Sequence, residues 1–125
     1  MQQILLYNID TKKSINIKNI CRKLNISYND VKKEDYGYKL CFLLNLSDDS
    51  SIGEGEDFRS EMLFIAGLSD DTLNIFLSML RKKRCTVELK AVLTETNRNY
   101  NSYELYKEIS AEHIAMQNGK TLHQT

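Results

Sequence analysis

The feature that most constrains the fold is an apolar run followed by a helical stripe, a pattern that occurs twice in the chain. The first run covers residues 4–7, and the stripe behind it has the i, i+3, i+4, i+7 spacing of one helix face. Its positions are Ile17, Ile20, Cys21 and Leu24. The second run covers residues 62–66, and its stripe consists of Leu73, Phe76, Leu77 and Leu80. The stripes lie 56 residues apart, which predicts a duplicated unit.

Each half continues with a second extended segment and a further helix. The extended segments are predicted at residues 26–31 and 86–93, and the helices at 36–46 and 102–114. A strand, a helix and a second strand connect as a parallel pair. We therefore expect an α/β fold of two β-α-β-α halves. Its four-stranded, mainly parallel sheet has the order 2-1-3-4, with helices packed on it and the first strands of the two halves central and running the same way.

The chain has 125 residues, about the size of one domain. We expect a single domain with halves 1–46 and 61–114. The stretch 47–60 is acidic, offers little to bury and is interpreted as a mobile linker, and residues 115–125 are interpreted as a polar tail.

The formal net charge is zero but is unevenly distributed. Residues 1–47 carry +4, residues 48–71 carry −7, residues 72–98 carry +4 and residues 99–125 carry −1. Without a sustained positive field, a nucleic-acid or membrane partner is not expected. Weak nucleic-acid binding through one basic cluster is kept as a hypothesis, ranked after the two given at the end of this subsection. The cluster consists of Arg81, Lys82, Lys83 and Arg84.

The three cysteines, Cys21, Cys41 and Cys85, show no Cys-x-x-Cys spacing, so neither a disulfide framework nor a zinc finger is expected. Cys21 and Cys41 lie among apolar residues and are predicted to be core. Cys85 follows the basic cluster, whose cations could lower the pKa of its thiol. No secretion signal or spanning segment is recognised, and a cytoplasmic location is expected.

In an open parallel sheet, ligands bind beyond the carboxyl ends of the strands. Asp10, Asp70 and Glu95 at this rim could hold Mg²⁺; alternatively, Asp10 and Asp70 cap their helices and Glu95 is solvated. No cofactor, metal or catalytic residue is assigned. Nucleophilic catalysis has little support, because the two histidines, His113 and His123, lie far in sequence from any poised nucleophile. The candidate ligand-binding residues are Asn8, Asp10, Ser69, Asp70, Thr94, Glu95, Thr96 and Asn97.

The stretch 94–106, called the 94–106 loop below, contains a polar loop and the first residues of the last helix. Asn101 and Glu104 form a capping-box pattern that marks the start of this helix, and Ser69 is the predicted cap of the helix that follows residues 62–66. Tyr, Asn and Arg are enriched in binding surfaces, although such a loop can equally be a turn that satisfies its own backbone. The candidate interaction residues are Arg98, Asn99, Tyr100 and Tyr103.

Residues 89–104 (LKAVLTETNRNYNSYE), the Glu-Met-Leu at 61–63 and the Lys-Glu-Asp-Tyr-Gly at 33–37 resemble a small bacterial family of unknown function, of the DUF3783 type. The resemblance covers most of residues 4–113. It implies a fold and no established activity or cofactor.

These observations favour a non-catalytic interaction or regulatory module. It would associate through an edge strand or the 94–106 loop, with another protein or with itself as a homodimer. The alternative is a small-ligand or Mg-dependent enzyme at the rim of the sheet.

Overall fold

The structure is a computed structural model that describes the backbone of residues 1–123 and the side chains of residues 1–114. The chain divides into two compact units, each built from two separate stretches. The first unit comprises Met1–Asp35 and Arg59–Thr94, and the second comprises Tyr36–Phe58 and the chain from Glu95 onward. Each predicted half therefore contributes to both units.

The secondary structure follows the predicted β-α-β-α order in each half. The strands are β1 (Gln3–Tyr7), β2 (Ser27–Asp30), β3 (Met62–Ala66) and β4 (Leu89–Val92). The helices are α1 (Thr11–Lys23), α2 (Leu40–Leu43), α3 (Asp70–Lys82) and α4 (Ser102–His123). Single 3-10 turns lie at Lys33–Asp35 and Asn97–Asn99.

The four strands form one sheet in the order β2-β1-β3-β4, which confirms the predicted α/β fold and strand order. β1 pairs in parallel with β2, and β3 in parallel with β4. The predicted direction of the central pair is wrong, because β1 and β3 are antiparallel, with Leu5 opposite Phe64. The sheet is therefore mixed, although two of its three pairings are parallel.

The physical reason is that a helical crossover constrains only the strands within one half. The connection between β2 and β3 covers residues 31–61 and is long enough to allow either direction. Every residue of Met62–Ala66 is buried, as is typical of a central strand, and this continuous apolar pattern is equally compatible with either strand direction.

The core of the first unit lies between one face of the sheet and the helices α1 and α3. It contains alternate residues of β1 and β3 together with the inward positions of both helices. Burying a large aliphatic side chain contributes roughly 1.5–3 kcal/mol, so this cluster is the main stabilising element of the unit. Its central members are Ile4, Leu6, Ile17, Ile20, Cys21, Leu63, Ile65, Phe76 and Leu80.

The duplication is visible in the backbone, where α1 and α3 begin 59 residues apart. Asn8 and Gly67 follow the first strand of each half, and both have positive φ. Asn25 and Arg84 follow the first helix of each half, and both again have positive φ, as residues that end helices commonly do. Both pairs are separated by the same 59 residues.

The predicted repeat distance of 56 residues is therefore wrong. At the observed distance, the buried Ile17 corresponds to the buried Phe76, and Cys21 corresponds to Leu80. The shorter distance arose because α3 also carries Leu73 and Leu77, which are only half-buried and widen its apolar stripe.

In the second unit, the helix predicted over residues 36–46 is reduced to α2. Tyr38 instead forms an antiparallel bridge with Ile52. The carbonyl of Gly37 accepts a hydrogen bond from the N–H of Gly53 at 2.8 Å. These contacts hold the chain before α2 in an extended conformation.

α4 begins at Ser102 as predicted. The side chain of Asn101 accepts from the N–H of Glu104, and the Glu104 carboxylate accepts from the N–H of Asn101, both at 2.9 Å. The predicted capping box is thus confirmed. The helix does not end near residue 114 but continues to His123, with no proline to interrupt it, and residues 124–125 of the predicted tail lie outside the described residues.

Two reciprocal hydrogen bonds join the two stretches of the second unit. The N–H of Ser102 donates to the carbonyl of Tyr36 at 2.9 Å, and the N–H of Leu40 donates to the carbonyl of Tyr100 at 2.8 Å. In each case, the N–H of the first residue of a helix donates to the carbonyl of a tyrosine in the other stretch. Each of these tyrosines directly follows a 3-10 turn.

Candidate functional site

The residues predicted to form one ligand site at the rim lie at two opposite rims of the sheet, where the strands begin and end; these are called the first and second edge below. Asn8 and Asp10 follow β1 at the edge where β3 begins. Ser69 and Asp70 follow β3 at the other edge, and Thr94 follows β4 there. The division results from the antiparallel central pair, because only strands that run the same way end at the same edge. Asp10 and Asp70 are therefore not brought together.

At the first edge, polar groups connect the start of α1 to the start of β3. Asn8 Nδ2 donates to the carbonyl of Ser60 at 3.1 Å. The Glu61 carboxylate accepts from the N–H of Asp10 at 2.9 Å and from Lys13 Nζ at 2.6 Å. Asp10 is also the N-cap of α1, since its side chain accepts from the N–H of Lys13. These contacts favour the interpretation of Asp10 as a helix cap.

At the second edge, Ser69 and Asp70 occupy the start of α3. Ser69 Oγ accepts from the N–H of Thr72 at 3.2 Å, which confirms its predicted role as a cap. Asp70 and Asp71 lie in the first turn, where the helix dipole favours carboxylates.

Glu95, Thr96 and Asn97 belong to the second unit. Glu95 and Thr96 are exposed, whereas Asn97 is buried and starts the 3-10 turn. Where side chains are described, no group of three or more His, Cys, Asp or Glu residues could hold a metal ion. A ligand at these residues stays a prediction.

The predicted interaction residues have different surroundings. Arg98 is half-buried and Asn99 is exposed. The Tyr100 hydroxyl donates to Glu108 Oε1 at 3.3 Å, and the pKa of Tyr100 is raised by partial burial and by the Glu108 carboxylate. Tyr103 is half-buried and lies on α4, where it contributes to the groove described next.

A cluster of four aromatic rings joins the two stretches of the second unit. Phe58, which is 4% exposed, stacks on Tyr36 with ring centroids 4.9 Å apart and on Tyr106 with centroids 4.2 Å apart. Tyr103 meets Tyr36 edge to face at 5.7 Å. Each such pair contributes about 0.5–1.5 kcal/mol beyond the burial of its area. The rings therefore hold one another in fixed positions.

A groove of about 550 Å³ lies beside these aromatic rings; we call it the acidic groove. Its volume is within the range typical of ligand-binding clefts. One side is formed by residues 54–58, and the other by residues of α4. The α4 residues are Tyr103, Glu104, Tyr106, Lys107 and Ser110.

Two features shape the acidic groove. Tyr103, Tyr106, Lys107 and Ser110 have the i, i+3, i+4, i+7 spacing that places side chains on one helix face. Gly55 lies so close to Tyr103 that any Cβ at this position would overlap the ring. A glycine is therefore required for the acidic stretch to pack against α4.

Carboxylates dominate the lining of the acidic groove, because its described residues include four carboxylates and one ammonium group. Clefts lined by one sign of charge concentrate counter-ions of the opposite sign. The charged residues are Glu54, Glu56, Asp57, Glu104 and Lys107.

The sequence interpretation missed this groove because it treated residues 47–60 as a linker with little to bury. Phe58 is the signal that could have found it, as a large apolar side chain four residues before β3. The regular spacing of Tyr103 and Tyr106 on the last helix is the second signal.

All three cysteines are free and buried, which confirms the core prediction for Cys21 and Cys41. Burial raises the pKa of Cys21 to about 11. Burial also raises the pKa of Cys85, and this outweighs the opposite effect of nearby lysines. The hypothesis that cations activate the Cys85 thiol is thus not supported.

The basic cluster lies at the carboxyl end of α3, in the first unit. Its four side chains are exposed, and Lys83 is the C-cap. Cations at this end of a helix are favoured by the helix dipole, which is sufficient to explain their position.

Residues 61–116 match the family model described as Domain of unknown function (DUF3783). The matched stretch begins just before β3 and extends into α4. The match does not cover residues 4–60, which the resemblance seen in the sequence had included. No match was found among curated proteins or solved structures. Within the described residues, no helix combines the length and apolar character needed to cross a membrane.

Proposed function

We propose that this chain is a non-catalytic interaction module that binds a partner protein through the acidic groove. The observation that carries this proposal is the packing of Tyr36, Phe58, Tyr103 and Tyr106 beside the groove. Tyr103 and Tyr106 are the half-buried members of this cluster and line the groove, so they offer contact area that is already fixed, at a low entropic cost. Tyr is also enriched in protein-binding surfaces.

The two outer strands of the sheet, β2 and β4, offer weaker support for strand-mediated association. β2 and β4 have only four residues each, and they carry Asp30 and Lys90. Asp30 forms an ion pair with Lys18, and Lys90 donates to the carbonyl of Val87. Short edges with charged side chains are typical of strands protected from further pairing. Of the two predicted surfaces, the contacts therefore favour the loop region, through Tyr103.

The alternative of an enzyme at the rim has less support. Its carboxylates are divided between two edges, and Asp10 and Asp70 lie at helix starts, where carboxylates stabilise the helix. Cys21 and Cys85 are also poor candidates for a thiol nucleophile, because burial raises the pKa of both.

The experiment is a selection of displayed random 12-residue peptides on the full chain, followed by NMR titration of ¹⁵N-labelled protein with the selected peptides. We expect the largest shift changes at residues 54–58 and 103–110. Selected peptides that leave these resonances unchanged would refute the proposal. Light scattering over a range of concentrations tests whether the partner is a second copy of the chain.

A further inference from the structure

We infer that the acidic groove binds a basic segment of the partner protein, an extended stretch that presents arginine or lysine side chains. This inference rests on the proposed function and adds the chemical class of the partner. Three properties of the acidic groove support it, and they concern charge, the aromatic surface and size.

The negative charge of the lining favours a ligand with positive charge. Glu54 and Glu56 are exposed on one side of the acidic groove, and the capping Glu104 lies on the other. An ammonium or guanidinium group between the two sides is attracted by both. An acidic peptide or a nucleic-acid phosphate is repelled by the same groups, since Lys107 is the only cation among the described residues of the lining.

The aromatic surface selects a cation that also carries an apolar stem. Tyr103 and Tyr106 are half-buried and line the acidic groove. A guanidinium or ammonium group over a tyrosine face gains a cation–π interaction, while its methylene stem covers the ring. A simple inorganic cation has no methylene stem to cover the ring, so it would be attracted mainly by the carboxylates.

The size of the cleft favours a segment rather than a single small ion. About 550 Å³ accommodates several side chains, and the lining extends along two turns of α4, from Tyr103 to Ser110. A basic peptide can therefore place successive cations against residues 54–57 on one side and the tyrosines on the other.

The test uses the full chain and three synthetic ten-residue peptides that alternate four test residues with glycine and serine. The test residue is arginine, the uncharged isostere citrulline, or glutamate. Affinity is measured by isothermal titration calorimetry, and the site is located by NMR shift changes. The groove variant is Glu54→Gln/Glu56→Gln. The matched control is Glu34→Gln/Asp48→Asn, which makes the same change of charge at exposed positions outside the acidic groove.

We expect the arginine peptide to bind at the groove resonances at least tenfold more tightly than the citrulline peptide. Each exposed carboxylate is worth a factor of about 2–5, so the groove variant should bind about tenfold more weakly. The control should stay within about twofold, and added salt should reduce the difference between the two variants.

Equal affinity for arginine and citrulline peptides, or equal loss in the groove and control variants, would overturn the inference. Selected peptides that occupy the acidic groove but lack cationic residues would overturn the basic partner and leave the interaction module intact. If no selected peptide reaches the groove, both proposals fail. Salt-sensitive self-association that Arg81→Glu/Arg84→Glu abolishes would assign the acidic groove to a second copy, against a separate partner.

Discussion

The antiparallel central pair predicts an energetic coupling between Glu61 and Lys13. Glu61 immediately precedes β3, and its carboxylate reaches the start of α1 only because β3 begins where β1 ends. If the strands ran in parallel, Glu61 would lie at the opposite end of β1, near Gln3. The coupling therefore reports on strand direction.

The magnitude follows from the two contacts of the carboxylate. The hydrogen bond to the N–H of Asp10 resembles a helix cap, worth about 1 kcal/mol. The ion pair with Lys13 joins side chains that are 27% and 28% exposed, and such a pair contributes about 0.5–1 kcal/mol. Glu61→Ala should therefore lower the free energy of unfolding by about 1–2 kcal/mol. Glu61→Gln should lose mainly the ion pair, because its amide oxygen can still accept from Asp10.

The assay is urea unfolding of the wild type, Glu61→Gln, Lys13→Met and the double variant, with Glu95→Gln as an exposed control. We expect a coupling energy of about 0.5–1 kcal/mol and a change below about 0.5 kcal/mol in the control. A second check is the variant Gln3→Cys/Ala66→Cys, whose positions are directly paired. Absence of coupling together with failure of this pair to form a disulfide would refute the antiparallel arrangement.

Three further predictions concern packing and pH. Gly55→Ala should destabilise the protein by about 1–3 kcal/mol and shift the NMR resonances of Tyr103, and an unchanged spectrum would contradict the close contact. Phe58→Ala should cost about 3–5 kcal/mol in urea unfolding, far more than expected for a residue in a flexible linker. The pKa of Cys21 is raised by burial from 9.0 to about 11, so the unfolded thiol ionises first. The stability associated with this thiol is full below pH 9 and is lost as pH rises towards 11, by on the order of 2 kcal/mol. Cys21→Ala should lack this component, and parallel pH profiles of the two proteins would contradict the raised pKa.

The repeated β-α-β pattern could be predicted from the sequence because it depends on local rules. Hydrophobic spacing located α1 and α3, and side-chain chemistry located the caps at Ser69 and Asn101. Strand order also followed, since the polar alternation of residues 86–91 suits an edge and the continuous run at 62–66 suits the centre.

The direction of the central strands could not be predicted from those rules, because long-range pairing depends on few residues. One signal was present. The first turn of α1 contains Lys12 and Lys13 and no acidic residue, whereas α3 begins with Asp70 and Asp71. Beyond its N-cap Asp10, α1 therefore has no carboxylate of its own in the first turn, and Glu61 supplies one from the start of β3.

The acidic groove was missed for a different reason. Composition assigns an acidic, glycine-containing stretch to solvent, yet one aromatic residue and one glycine within it pack closely against α4. Phe58 contributes that contact, and Gly55 permits the close approach. Neither effect is visible in an average over the stretch.

The pairing of β1 with β3 places equivalent strands of the two halves side by side in opposite directions, as an isologous dimer does with the same strand of two subunits. A polypeptide with one half alone would leave one side of its buried first strand unpaired and would need to recruit its own copy. Here both copies are covalently joined, so this association is intramolecular. The stability of the central pairing therefore does not depend on protein concentration, whereas that of a dimer of two separate halves would.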